Sequence, residues 1–339
     1  MMRRAMLWVL LAGLLPAASC AQAAGAGGGG DFGLSLEGQP GSAQELEALE
    51  QDLGVPLQVL NVFVQWPADP AKGWFPWPFL DAAASRGILP CITWEPMSVI
   101  GGRERAVSGR DILDGVWDSY LVFFAGAARR FGKPLLVRLA HEMNLARYHW
   151  FTEPEDYGPA SPALYREVFR YVAGKLRQAG AGNVLLAFCP NAESVPGPGN
   201  AKDAGWNTAA AWWPGPDVVD VLGMDGYNWG TFFRKETHGW DSAWKGFAEI
   251  FGPLREELLR LAPGKPLLVF ETASTSLGGD KDAWASDAAR TAEDWALRAL
   301  LWFDARKEQD WLFPRAGQGA AAWRGLAGRW PSPARTGYR

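Results

Sequence analysis

The chain has 339 residues, 48% hydrophobic and 21% charged, which excludes a disordered chain and suits one large domain or two small ones. Its formal charge of −4 offers no basic surface for a nucleic-acid partner. Nineteen Trp, beside 17 Phe and 7 Tyr, are a surplus of flat rings. Many sit in Gly/Pro-rich stretches, where they either pack loops or stack on sugar faces.

Arg3 and Arg4 precede an apolar run at 5–15 and small residues ending at Ala24, the layout of an export signal over 1–24. The run is too short for a transmembrane span. The expectation is a secreted or periplasmic protein. Cys20, after Ala-Ala-Ser, leaves open a lipid anchor and an outer-membrane lipoprotein. Residues 25–30, Gly-Ala-Gly-Gly-Gly-Gly, read as a flexible tether. Beyond it the only cysteines are Cys91 and Cys189, both in apolar runs. Buried core thiols suit them better than a disulfide, and they build no metal framework.

From residue 31 apolar runs alternate with amphipathic stretches. The runs are 32–36, 57–66, 88–94, 135–143, 184–190, 218–227, 267–272 and 300–303. Several are continuous rather than alternating, as parallel strands covered on both faces require. Helices are expected at 42–52, opened by Ser42 and Glu45 as a capping box, and at 77–85, 111–131, 162–180, 242–262, 283–297 and 318–328. Eight strands alternating with helices point to an α/β fold, a single (β/α)₈ TIM barrel over 31–330 with a tail at 331–339. A doubly wound sheet is the rival, but no glycine turn for phosphate follows a strand.

Barrel active sites lie at the C-terminal ends of the strands. The runs end there in Gln65-Trp66, Trp94-Glu95-Pro96, His141-Glu142-Met143-Asn144, Pro190-Asn191, Asp225-Gly226-Tyr227-Asn228 and Glu271-Thr272, and the eighth contains Trp302. Carboxylates on the fourth and seventh runs suggest glycosidic chemistry, Glu142 as acid/base and Glu271 as nucleophile. His141 and nearby aromatics favour a protonated Glu142. Tyr227 is placed to hydrogen-bond Glu271, and Arg138 to stabilise negative charge. The structural alternatives are a Glu142–Arg138 ion pair and a helix-capping Glu271.

The segment Val137-Arg138-Leu139-Ala140-His141-Glu142-Met143-Asn144 resembles the acid/base motif of glycoside hydrolase family 26, which has His before the glutamate where most of its clan has Asn. Trp94-Glu95-Pro96, Cys189-Pro190-Asn191, the stretch from Val221 to Asn228 and the stretch from Pro266 to Thr272 resemble the family's third, fifth, sixth and seventh strand endings. The resemblance runs in order through most of 32–304. It implies a retaining endo-hydrolase, most often of β-1,4-mannan, requiring no metal or cofactor. It also implies that His141 binds sugar, Tyr227 orients the nucleophile, Trp302 forms part of the −1 sugar platform and Asp225 supports the catalytic network. Further substrate-binding candidates are Arg138, Asn191, Tyr148, Trp150, Trp94 and Trp66. The partner is then a polysaccharide and the default assembly a monomer.

One departure stands out. Family mannanases commonly follow the acid/base motif with Gly and a closely spaced Trp. Here Leu145-Ala146-Arg147-Tyr148-His149-Trp150-Phe151 follows, so Tyr148 or Trp150 takes the aromatic role. This keeps mixed-linkage β-glucan, β-1,3-xylan and exopolysaccharides open as substrates, and Arg147 a decorated or acidic glycan. Two other classes are a noncatalytic glycan-binding barrel and a structural envelope protein held through Cys20. A zinc hydrolase fails because His141-Glu142 is followed at position 145 by Leu rather than His, and a serine hydrolase lacks the Gly-x-Ser-x-Gly elbow.

Overall fold

The computed structural model describes residues 30–197 and 204–329. The expected signal at 1–24 with Cys20, tether residues 25–29 and the tail at 331–339 lie outside them. Eight strands, Asp31–Leu36, Val59–Gln65, Leu89–Glu95, Leu135–Leu139, Val184–Phe188, Val221–Asn228, Leu267–Ser274 and Ala299–Phe303, close into one barrel in chain order. All eight pairings are parallel. Each of the eight apolar runs coincides with one of these strands. Burial on both faces explains their continuity: all seven residues of Leu89–Glu95 are buried.

Strand side chains alternate inward and outward. Inward, Val59, Leu89, Leu136, Val221, Leu268 and Leu301 fill the lower barrel together with the free thiols of Cys91 and Cys189. Above them the interior turns polar. Outward, aromatics pack beneath the helices. Trp94 stacks on Phe124 at 4.0 Å and donates from Nε1 to the Tyr120 hydroxyl at 3.0 Å, while Trp302 packs against Trp284 and Trp323.

The helix over Ala43–Leu53 starts where Ser42 accepts from the Glu45 N–H. The Glu45 carboxylate reaches back to the Gly41 N–H, one residue earlier than a capping box requires. The expected helix 111–131 is two, Gly109–Leu113 and Asp118–Phe131, split at Gly115, whose φ of 83° no helix continues through. An antiparallel hairpin, Met97–Ile100 with Arg103–Ala106, follows the third barrel strand. It was not visible as an apolar run because its second strand carries three exposed charged residues, Arg103, Glu104 and Arg105. No described helix is long and apolar enough to cross a membrane.

A bulge in the seventh strand matters for the site. Met224 pairs with Val269 but Asp225 with Glu271, and on the other side Leu300 pairs with Val269 but Trp302 with Thr272. The extra residue lets Glu271 face the interior directly after Phe270, which also points inward.

Candidate active site

The site is assembled from the interior upward. The Ser35 hydroxyl donates to the Phe270 carbonyl at 2.6 Å, and Asn61 donates to Ser35 Oγ at 3.0 Å. Thr93 donates to Asn61 Oδ1 at 2.9 Å, and Arg138 Nε donates to Thr93 Oγ1 at 2.9 Å. This buried relay orients the Arg138 guanidinium, which donates to both Asp225 and Glu271. Burial works against its charge, but the two carboxylates outweigh that and hold Arg138 well above the usual range.

Glu271, 5% exposed, accepts from Arg138 on one oxygen and from the Tyr227 hydroxyl on the other at 2.5 Å. Two donors on a carboxylate fix its orientation. Glu142, 6% exposed, has a different setting. Burial pushes its carboxyl up to about 7, the charge of Glu271 adds to this, and the bond from Asn191 opposes it. Asn191 Nδ2 donates to Glu142 Oε1 at 2.6 Å. Asn191 is itself pinned by Asn144, which accepts from the Asn191 N–H at 2.8 Å and donates to its carbonyl at 2.9 Å. Ala140 and Glu142 sit at φ of 47° and 51°, a region that costs an L-residue about 1–2 kcal/mol. The Glu142 N–H to Cys189 carbonyl bond, 2.8 Å, helps hold that turn. The two structural alternatives therefore fall: Arg138 pairs with Glu271 and Asp225 rather than Glu142, and Glu271 lies in a strand.

Both glutamates open into one cleft of about 540 Å³. Phe63, Phe303, Trp311, Trp229, Tyr227 and Tyr148 supply its rings. Seven glutamates face it against two cations, Arg147 and Lys307. Arg147 is paired with Glu104 at 2.9 Å, and Lys307 with Glu37 at 3.4 Å. Glu95, whose carboxylate accepts from Gln65 at 2.5 Å, is pushed by burial to about 7.

Of the sequence candidates, Glu142, Glu271, Asn191, Tyr227 and Tyr148 line the cleft. Several expected sugar contacts are corrected. Trp66, Trp94 and Trp302 are at most 2% exposed and face outward under the helices, one residue out of phase with the inward Gln65, Glu95 and Phe303. Trp150 lies behind Tyr148, stacked on it at 5.1 Å, with Nε1 donating to the His141 carbonyl. Arg138 and Asp225 are fully buried beneath the cleft, where Arg138 pairs with Asp225 and with Glu271. His141 is 1% exposed and packs against Phe63 and Tyr148. Burial and then Arg138 hold its imidazole well below the usual range, so it is neutral. Sequence reading named Gln65 and Glu95 only as strand ends and passed over Phe63, Phe303 and Trp311. Phe303 becomes legible only with the register that pairs Trp302 with Thr272.

Among the described residues, one group could offer ligands to a cation: His141, Asp225 and Glu271, with ligand atoms within 4.8 Å of one another. Arg138 already bonds both carboxylates, and a cation would have to displace it.

The model of glycosyl hydrolase family 26 matches residues 125–243, which hold Glu142, Asn191, Asp225 and Tyr227. Over that segment the chain is similar to glycoside hydrolase family 26. Endoglucanase H of Acetivibrio thermocellus is 29% identical over 292 residues, 85% of this chain; the chain spans 29% of that relative's length. A Bacillus subtilis mannanase superposes with a TM-score of 0.60 at 16% identity, covering 88% of this chain and 85% of that one. A Bacteroides ovatus β-mannanase superposes with 0.57 at 18%, covering 88% of each. At those identities the structural likeness speaks for the fold alone, a barrel this chain shares with them.

Proposed function

We propose that this chain is a member of glycoside hydrolase family 26 and a retaining endo-β-glycosidase of a neutral β-linked polysaccharide, exported from the cell, with β-1,4-mannan the first substrate to test. The observation that carries the reading is the contrast between two carboxyl groups in one cleft: Glu142 buried and raised to about 7, Glu271 gripped by Arg138 and Tyr227. In this mechanism Glu142 gives its proton to the glycosidic oxygen while Glu271 attacks the anomeric carbon, breaking the bond to the leaving sugar. Glu142, now ionised, takes a proton from water, and that water displaces Glu271 from the anomeric carbon. Arg138 and Tyr227 keep the Glu271 oxygens aimed.

The surplus of carboxylates and the pairing of both cations favour a neutral glycan over an acidic one. A second reading, mixed-linkage β-glucan, is favoured by the likeness to a protein named an endoglucanase. Reducing-end release would be measured on β-mannan, glucomannan, mixed-linkage glucan and β-1,3-xylan, with Glu271→Ala beside wild type and both checked for folding. Release on one of these that disappears in the variant is the expected result. Equal release by both proteins refutes Glu271 as nucleophile, and none on any polymer refutes hydrolysis and leaves a noncatalytic glycan-binding barrel.

A further inference from the structure

Resting on the reading of a polysaccharide in the cleft, we infer that the loop after the sixth strand forms an aromatic platform, ending at Trp240, that binds a further sugar of the same chain. Tyr227 and Trp229 line the cleft. Their ring centroids are 6.0 Å apart, Trp229 lies 4.8 Å from Phe233, and Phe233 stacks on Trp240 at 4.5 Å with the planes 26° apart. Exposure rises along this path, from half-buried Tyr227, Trp229 and Phe233 to Trp240 at 47%. One face of the Trp240 indole is covered by Phe233, and water is left an apolar ring surface of the kind that pyranose faces stack on. The occupant is the polysaccharide because the ring path is continuous with the catalytic cleft.

The loop is built to hold this ring still. Ser242 exchanges hydrogen bonds with Phe233, accepting at Oγ from its N–H and donating its own N–H to its carbonyl, both at 3.0 Å. The Ser242 hydroxyl also donates to the Gly230 carbonyl at 2.7 Å. The Lys235 N–H donates to Asp241 at 2.9 Å across the short helix Lys235–His238. At its base the loop is pressed on the segment after the nucleophile strand. Thr231 donates to the Leu277 carbonyl at 3.1 Å, and a Cβ on Gly230, at φ 52°, would lie 1.8 Å from that oxygen. A platform so anchored loses little conformational freedom when a sugar settles on it.

The test is calorimetric titration of Glu271→Ala and of Glu271→Ala/Trp240→Ala with β-1,4-linked manno- and gluco-oligosaccharides of three and six units. The double variant should bind the hexasaccharide about fivefold to tenfold more weakly, with the trisaccharide changed far less. Trp240→Phe, which keeps a flat ring, should recover most of the loss. Equal affinity of the two proteins for the hexasaccharide, absent binding included, or an equal loss for both lengths, overturns the platform. Reducing-end assays of wild type on the same sugars separate the two claims. If it cuts none while the affinity pattern holds, hydrolysis falls and the platform stands. If it cuts while Trp240→Ala changes no affinity, the platform falls alone.

Discussion

Replacing Glu142 with Gln should stabilise the protein at high pH while disabling it. The carboxyl moves from an ordinary 4.5 to about 7, through burial and then the charge of Glu271. Below 4.5 it is protonated in both the folded and unfolded chain and costs nothing extra. As pH rises the unfolded chain ionises first, and by pH 8 the folded chain carries a buried carboxylate at a cost of about 3 kcal/mol. Gln removes that cost, and its amide oxygen can still accept from Asn191 Nδ2. At about 2–4 °C per kcal/mol, the melting temperature at pH 8 should rise by about 5–10 °C, with no rise at pH 4. Hydrolysis should meanwhile fall by about 10²–10⁴-fold, since the proton donor is gone. Thermal melts of both proteins at pH 4 and 8 are the assay. A rise of the same size at both pH values, or a less stable variant at pH 8, would refute the assignment of a buried, proton-holding carboxyl.

Wild-type kcat/KM should decline as pH rises through about 7, where Glu142 loses its proton; a profile flat to pH 9 contradicts this. Arg138→Met strands two buried carboxylates and should cost about 3–5 kcal/mol in urea unfolding at pH 7. Tyr227→Phe removes one donor to Glu271 and should lower kcat about tenfold or more, with little change in melting temperature. Trp302→Ala should destabilise by about 3–5 kcal/mol yet leave KM near wild type at a temperature where it stays folded, as a ring packed behind the barrel wall requires.

The strands and the two glutamates proposed as the catalytic pair are legible because their signals are local. Eight continuous apolar runs name a barrel covered on both faces, and His141-Glu142 and Glu271-Thr272 stand at strand ends. Which aromatic faces the sugar was not legible, because a one-residue error in strand phase exchanges inside for outside. Trp94 and Trp302 stand at strand ends like cleft residues, while their neighbours Glu95 and Phe303 hold that place. The bulge at Phe270 adds to this, since it breaks the alternation that would be used to count from Glu271. Arg138 was correctly tied to negative charge but not to its depth; the relay through Ser35, Asn61 and Thr93 exists only once three strands are in register. The hairpin after Glu95 and the aromatic path to Trp240 depend on contacts between loops, which strand periodicity does not encode.

The central claim is double displacement by Glu142 and Glu271. Proton NMR of the earliest products from the polymer that wild type cleaves reads it directly, before the new reducing ends mutarotate. New reducing ends that appear first as the β-anomer, absent from Glu271→Ala, are the outcome this account requires. The α-anomer appearing first would mean a single inverting displacement and would contradict it.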